Sequence, residues 1–337
     1  MLLLGTFALI SSALNSSAQA QTDPSQLAAP QSPDDPVAPY ALTFKLESDV
    51  GQGTFVSNPY ARNAYVGWLA SIIPAYRPIK PLTLSLTLRV SQELTDSDSD
   101  AYAQKLLLDD IAVRAGYQAG VIPVADIGVR VVGSLYLPTS LVSQYQTLVA
   151  GLQVSGVFSK SFFDESFSLD YVGTFRKNFH RYASPTLEAD GDVPPTYARQ
   201  GGAEDLAGNL VSVGGNNTSF TIRNELSATY SPIKDTLSFT LAYELANSFT
   251  YASFDKDEMS SPFAEEGAGQ RDATVGQIVA GYRLDKRFSF QGGVATAATP
   301  KSADNQSFRF PFWDFESTAD NLTVFFIEAT MNEPFGE

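Results

Sequence analysis

The chain has 337 residues, a formal net charge of -15, one histidine and no cysteine. The missing thiols exclude disulfides, cysteine-ligated zinc and thiol catalysis, and the acidic balance excludes a nucleic-acid partner, which needs clustered Lys and Arg. Beyond Ala20 no apolar run reaches the roughly eighteen residues of a membrane-spanning helix.

Met1 to Ala20 reads as a secretory signal, with an apolar stretch from Leu2 to Ile10 and the small-residue cleavage site Ala18-Gln19-Ala20. Residues 21–39 follow with Pro24, Pro30, Pro33, Pro36 and Pro39 beside Asp34 and Asp35. Such a composition cannot build a core and predicts an extended tail, a candidate tether for a periplasmic or outer-membrane partner.

From Tyr40 the chain changes character. Tyr40, Leu42, Phe44 and Leu46 alternate with Thr43, Lys45 and Glu47, and a second run covers Ala64 to Ile73. The clearest run is Leu82 to Leu94, with Leu82, Leu84, Leu86, Leu88 and Val90 on one face and Thr83, Ser85, Thr87, Arg89, Ser91 and Glu93 on the other. A period of two is that of a strand. Most globular strands have roughly five or six residues, whereas an oblique bilayer crossing takes roughly nine to eleven. This one is long enough to cross.

The pattern recurs over Leu108 to Tyr117, Asp126 to Leu137, Leu148 to Phe158, Phe167 to Arg176, Phe220 to Ala228, Leu237 to Leu245, Thr274 to Leu284, Phe288 to Ala297 and Asn321 to Met331. These make about twelve strands, an even number as in transmembrane barrels. Connections alternate between short (74–80, 118–125, 159–165, 231–235, 285–287) and long (48–63, 95–105, 138–147, 180–217, 250–272, 296–320). Rings gather near strand ends: Tyr40, Trp68, Tyr76, Tyr117, Phe158, Phe162, Phe163, Tyr230, Phe249 and Tyr251. Amphipathic rings prefer the two membrane interfaces.

Over residues 40–331 the chain resembles the Gram-negative outer-membrane β-barrel class. The resemblance implies an all-β, transmembrane, up-and-down antiparallel barrel with lipid around it and, for an even strand count, both termini in the periplasm. The closing residues 332–337 read as a short tail. Their only aromatic, Phe335, stands two positions short of the end, a departure from the terminal aromatic common in such barrels.

If the apolar face meets lipid, the polar face lines the interior. That face carries Lys45, Glu47, Arg89, Glu93, Asp110, Arg114, Arg130, Asp170, Arg176, Arg223, Glu225, Glu244, Arg283 and Glu328. Charges of both signs in a narrow lumen set a transverse field that filters solutes; the alternative is a plug of mutually neutralising ions. Phe308-Arg309-Phe310-Pro311-Phe312-Trp313-Asp314-Phe315 is the densest aromatic stretch, and Phe308, Arg309, Phe310 and Trp313 are candidate contacts for an entering solute. A loop that buries its own rings, or dips into the outer lipid boundary, is the other reading.

Asp96, Asp98 and Asp100 have the spacing of a calcium loop but lack its downstream Gly and Glu, so a solvated acidic hairpin tip is expected. Asn216-Asn217-Thr218 has the form of a glycosylation sequon, which carries no weight in a bacterial setting. His180 is the sole imidazole, and Ser184 stands near it at a spacing unlike the His-x-Ser of outer-membrane phospholipases. No enzyme, cofactor or metal is expected. The sequence therefore predicts a narrow charged channel for passive diffusion of small hydrophilic solutes. A closed barrel serving as a structural or docking subunit is the alternative, and a lipid hydrolase a more distant one.

Overall fold

Residues whose side chains alternate strictly between apolar and polar can satisfy every backbone N–H and C=O in a lipid setting only by pairing all round a ring. The computed structural model has that form. It describes residues 39–55, 66–95, 106–140, 143–144, 146–183, 216–251, 269–301, 306–313 and 321–335. The strands are β1 (Tyr40–Gly51), β2 (Val66–Ile79), β3 (Leu82–Glu93), β4 (Leu106–Leu108), β5 (Ile111–Ile122), β6 (Ile127–Leu137), β7 (Leu148–Phe162), β8 (Phe167–His180), β9 (Thr218–Ile233), β10 (Leu237–Thr250), β11 (Gln270–Arg283), β12 (Phe288–Ala298) and β13 (Asn321–Phe335). A 3-10 turn, Gln52–Thr54, follows β1.

Strands pair antiparallel with their neighbours round the ring, and β13 returns to β1 along the whole of β1, from Tyr40↔Phe335 to Gly51↔Val324. Short β4 and long β5 both pair with β3, so they are two pieces of one stave interrupted at Asp109-Asp110. The closed ring therefore has 12 staves.

The two faces divide as the alternation requires. One outward residue from each stave, Leu46, Ile72, Leu84, Val113, Val131, Val154, Phe175, Leu226, Leu241, Ile278, Phe290 and Ile327, is exposed. Inward residues Ser71, Thr87, Ser134, Gln153, Thr174, Thr221, Glu244 and Glu328 are buried. A water-soluble barrel would have these reversed. Apolar outside and polar inside is the transmembrane arrangement, with lipid as the outer solvent. Near the short-turn end Tyr40 stacks on Tyr76 at 5.1 Å between ring centres, and Phe158 lies 6.2 Å from Tyr171, as expected of interfacial rings.

Strands overrun the alternation at that end. β2 continues through Pro74 and Pro78 to Ile79, so its link to β3 is Lys80 and Pro81 rather than 74–80. β13 likewise runs to Phe335, which corrects the reading of 332–337 as a tail. Outside the apolar layer a strand need not alternate. Asn332 accepts a bond from Thr43 Oγ1 at 2.7 Å, and Glu333 pairs with Arg287 of the last short turn at 3.3 Å. Residues 1–38, with the expected signal and most of the Pro-rich tail, lie outside the described residues.

Candidate functional site

The interior gathers its charges in the middle of the barrel. On the seam where the ring closes, Lys45 Nζ stands 3.4 Å from Glu328 Oε1, which also accepts from Gln291 Nε2 at 3.0 Å and Thr330 Oγ1 at 2.9 Å. Glu47 is the register partner of Glu328, so two acids face each other across β1 and β13. Like charges placed so repel unless cations attend them, and Lys45 and Arg89 lie within electrostatic reach of Glu47. Arg89 Nε is 3.4 Å from Ser71 Oγ and 4.0 Å from Asp109 Oδ2. Arg114 is its neighbour on β5.

Further round the ring, the Arg176 guanidinium lies over the Tyr136 ring, 4.2 Å from its centre, and Arg176 Nε donates to Asn178 Oδ1 at 2.9 Å. Gly151 makes room for this packing: a Cβ there would meet Asn178, Arg176 and Tyr136 at 3.2 to 3.3 Å. Arg223 Nε stands 4.0 Å from Glu244 Oε1, and Glu244 is the register partner of Glu225. Nearer the short turns, Arg130 lies over Gly116 with Arg77 close by, and Asp170 accepts hydrogen bonds from Ser159 and Ser168.

Two of the expected interior charges sit at the ends. Glu93 accepts from Thr95 Oγ1 at 2.7 Å at the long-loop rim. Arg283 is exposed at the short-turn mouth, paired with Asp235 at 3.6 Å, so it belongs to the entrance and not the waist. The reason is its place as the last residue of β11, past the layer where the inward face is enclosed.

Asp110 projects inward at the break between β4 and β5 and is buried. It accepts from Ser140 N at 3.0 Å and Ser143 Oγ at 2.5 Å, which draws the β6–β7 connection inward over the waist. The other flank of that connection is fastened by Asn217, whose Nδ2 donates to Gln146 O at 2.7 Å and Tyr182 O at 3.0 Å. Sequence reasoning put Tyr136 on the polar face without giving it a role, and missed Asn178 and Asn217. Asn217 had stood out only as part of a sequon, and its buried position (3% exposed) comes from contacts that no local pattern announces.

The described part of the aromatic stretch, 308–313, comes down on the outer wall, in keeping with the reading of Phe308, Arg309, Phe310 and Trp313 as a loop at the lipid boundary and not as solute contacts. Thr296 Oγ1, on the outward face of β12, donates to Phe312 O at 3.1 Å. Trp313 meets Phe325 of β13 at 5.4 Å and Phe312 meets Tyr243 of β10 at 6.5 Å, again on outward faces. The physical reason lies in the wall. Near the rim its outward residues Thr274, Gly276, Thr296 and Thr323 are polar or small, and this segment covers them. Gly276 allows the closest approach, since a Cβ there would collide with the Pro311 carbonyl and come within 2.9 Å of Phe312 Cδ1. Gly276→Val is expected to lift the segment and cost about 1–3 kcal/mol of stability, the usual penalty of overpacking. Urea unfolding in vesicles, with Trp emission as a second readout, checks it.

Asp96, Asp98, Asp100, Ser184, Asp314 and Phe315 lie outside the described residues. His180 packs edge-on against Tyr251 at 5.6 Å, and Tyr251 OH donates to Asn178 O at 2.8 Å, so the imidazole is part of the rim's packing. His180→Ala is expected to leave solute flux within about twofold of wild type, as for surface changes away from the chemistry. Loss of a hydrolytic activity in that variant would restore the hydrolase reading.

With the ring closed, apolar outside and charged within, one description fits. The chain has the architecture of an outer-membrane β-barrel. Among solved structures it is similar to an outer-membrane channel from Pseudomonas putida F1, at 10% identity over 90% of this chain and 100% of that one, with a TM-score of 0.49. It is also similar to the NanC porin (9% identity, 86% of this chain and 98% of that one, TM-score 0.42) and the KdgM porin (10%, 86% and 98%, 0.39). At such identities nothing about solutes passes from those proteins to this barrel. No protein-family model and no curated protein matches the chain.

Proposed function

We propose that the barrel is a narrow, charged passage for diffusion of small hydrophilic solutes across the outer membrane, with the termini and short turns on the periplasmic side. The observation that carries this is the charged waist. The pairs Lys45–Glu328, Arg89–Asp109 and Arg223–Glu244 keep side-chain exposures of 11 and 9%, 12 and 15%, and 8 and 10%. Small but nonzero exposure on every member fits a thread of water, and ions enclosed without water would be costly. Signs are also distributed unevenly. Along the arc from β3 to β10, Arg89, Arg114, Arg130, Arg176 and Arg223 are interleaved with Asp109, Asp110, Asp170, Glu225 and Glu244, whereas the β1–β13 seam sets Glu47, Asp49 and Glu328 against Lys45 and is net acidic. A transverse field of this kind selects by charge.

Single-channel recording of the refolded barrel in a planar bilayer tests the reading. Stable current steps are expected. Replacing Arg89, Arg114 and Arg130 by Gln should shift selectivity toward cations by about 1 kcal/mol per charge, the interaction of unit charges roughly 4 Å apart in a water-like medium. An unchanged preference would remove these arginines from the path. A barrel that inserts and stays silent would overturn the passage and turn attention to docking through residues 21–39.

A further inference from the structure

The segment that follows β12 does more than fill a gap. Lys301 and Phe308 form an isolated antiparallel bridge, and Arg309 donates from its backbone N to Pro300 O and from Nε to Lys301 O. The chain thus doubles back on leaving β12 and comes down the outer wall. Thr274, Thr296 and Thr323, at 3, 1 and 4% exposure, are hidden on a face that elsewhere shows bare Leu, Ile, Val and Phe to the outside. Their hydroxyls are satisfied locally: Thr274 Oγ1 donates to Ala298 O, and Thr296 and Thr323 share a bond of 3.0 Å. A polar sector of wall is sealed beneath a strap.

The strap carries an apolar surface of its own. Phe308 is 81% and Phe310 65% exposed, and Phe55, whose ring meets Phe325, is 70% exposed. Phe310 touches Phe312, Phe312 touches Tyr243, and Trp313 touches Phe325. Below them the outward Leu241, Ile278 and Ile327 continue the lipid-facing band. Lys301 adds an exposed ammonium group 5.8 Å from the Phe308 ring centre.

We propose that this strap is a lipid-binding anchor whose occupant is the bilayer surface, with Phe308, Phe310 and Trp313 at the boundary of acyl chains and headgroups and Lys301 among the headgroups. The grounds are continuity with the lipid-facing band and the pairing of rings with a cation, which is what an interface favours. A solute-binding role needs these rings at the mouth, and the wall stands between them and the lumen.

The chain has 2 tryptophans, Trp68 and Trp313, so Trp68→Phe leaves the strap's indole as sole reporter. The W68F barrel is refolded into phosphatidylcholine vesicles with acyl bromines near the headgroup or near the bilayer centre, and iodide is added to the water. Trp313 emission is expected to be quenched most by the headgroup-proximal bromines and little by iodide. The pair F308A/F310A should cut bromine quenching by roughly half as the strap loses its hold, with the barrel still resistant to unfolding by detergent at room temperature. Strong iodide quenching with no bromine effect would overturn the anchor, as would unchanged bromine quenching in F308A/F310A. Because the readout is fluorescence, a barrel that passes no current would defeat the proposed function and leave this test intact.

Discussion

Glu328→Ala is expected to destabilise the barrel by about 3–5 kcal/mol, the cost of removing one partner from a buried ion pair. The residue is 7% exposed and accepts from donors on three strands, Lys45 of β1, Gln291 of β12 and Thr330 of β13 itself. It stitches the seam at which the ring closes. A counter-term exists, because Glu47 lies directly opposite and its repulsion falls when Glu328 is lost. Glu328→Gln separates the two. It keeps an acceptor oxygen and drops the charge, so it should cost clearly less than the alanine if the donors dominate. Urea unfolding in vesicles measures both variants. An alanine barrel within about 1 kcal/mol of wild type, the range of exposed ion pairs, would mean that the backbone ladder alone holds the seam.

Why so much of this fold can be read from the chain is a matter of solvent. In lipid, each outward residue from Leu82 to Val90 answers to the same requirement, so the period of two survives without interruption. Inward residues answer to the opposite one, which is why Arg89, Arg114 and Arg223 could be assigned to the inside from spacing alone. The pattern fails where the solvent changes. Asn332, Glu333 and Pro334 lie beyond the apolar layer, and their polarity disguised four more residues of strand.

It fails again where another part of the chain supplies the missing surface. Thr274, Thr296 and Thr323 interrupt the apolar face of their strands, and the strap that covers them supplies the surface they need. Partners are harder still. Lys45 and Glu328 are separated by 283 positions and meet because the ring closes. Periodicity reports which way a side chain points; register round the ring decides what it meets.

The same limit hides the role of Asp110, whose replacement by alanine is expected to raise single-channel conductance several-fold. Asp110 and Ser143 are 33 positions apart. The carboxylate holds Ser140 N and Ser143 Oγ, and hydrogen bonds to a charged acceptor contribute about 1.5–3 kcal/mol each. Thr139 adds a weaker fastening: its Oγ1 donates to Asp109 O and accepts from Ile111 N, both at 2.9 Å. Opposite, Thr147 O accepts from Arg181 N at 2.8 Å and Gln146 O from Asn217. Removing Asp110 therefore frees the inner side of the β6–β7 connection and leaves the outer side tied to the rim, so the connection swings away from the waist while the ring stays closed. The Arg176 charge, which lies within electrostatic reach of Asp110, then stands less opposed. The wider passage should favour anions more than wild type does. Asp110→Asn keeps Oδ1 as acceptor for Ser140 N and can donate from Nδ2 to Ser143 Oγ, so it should retain most of the original conductance, which separates loss of the fastening from loss of the charge. Equal conductance in wild type and a well-folded D110A barrel would put the narrowest point away from the β6–β7 connection, for example where Arg223 meets Glu244.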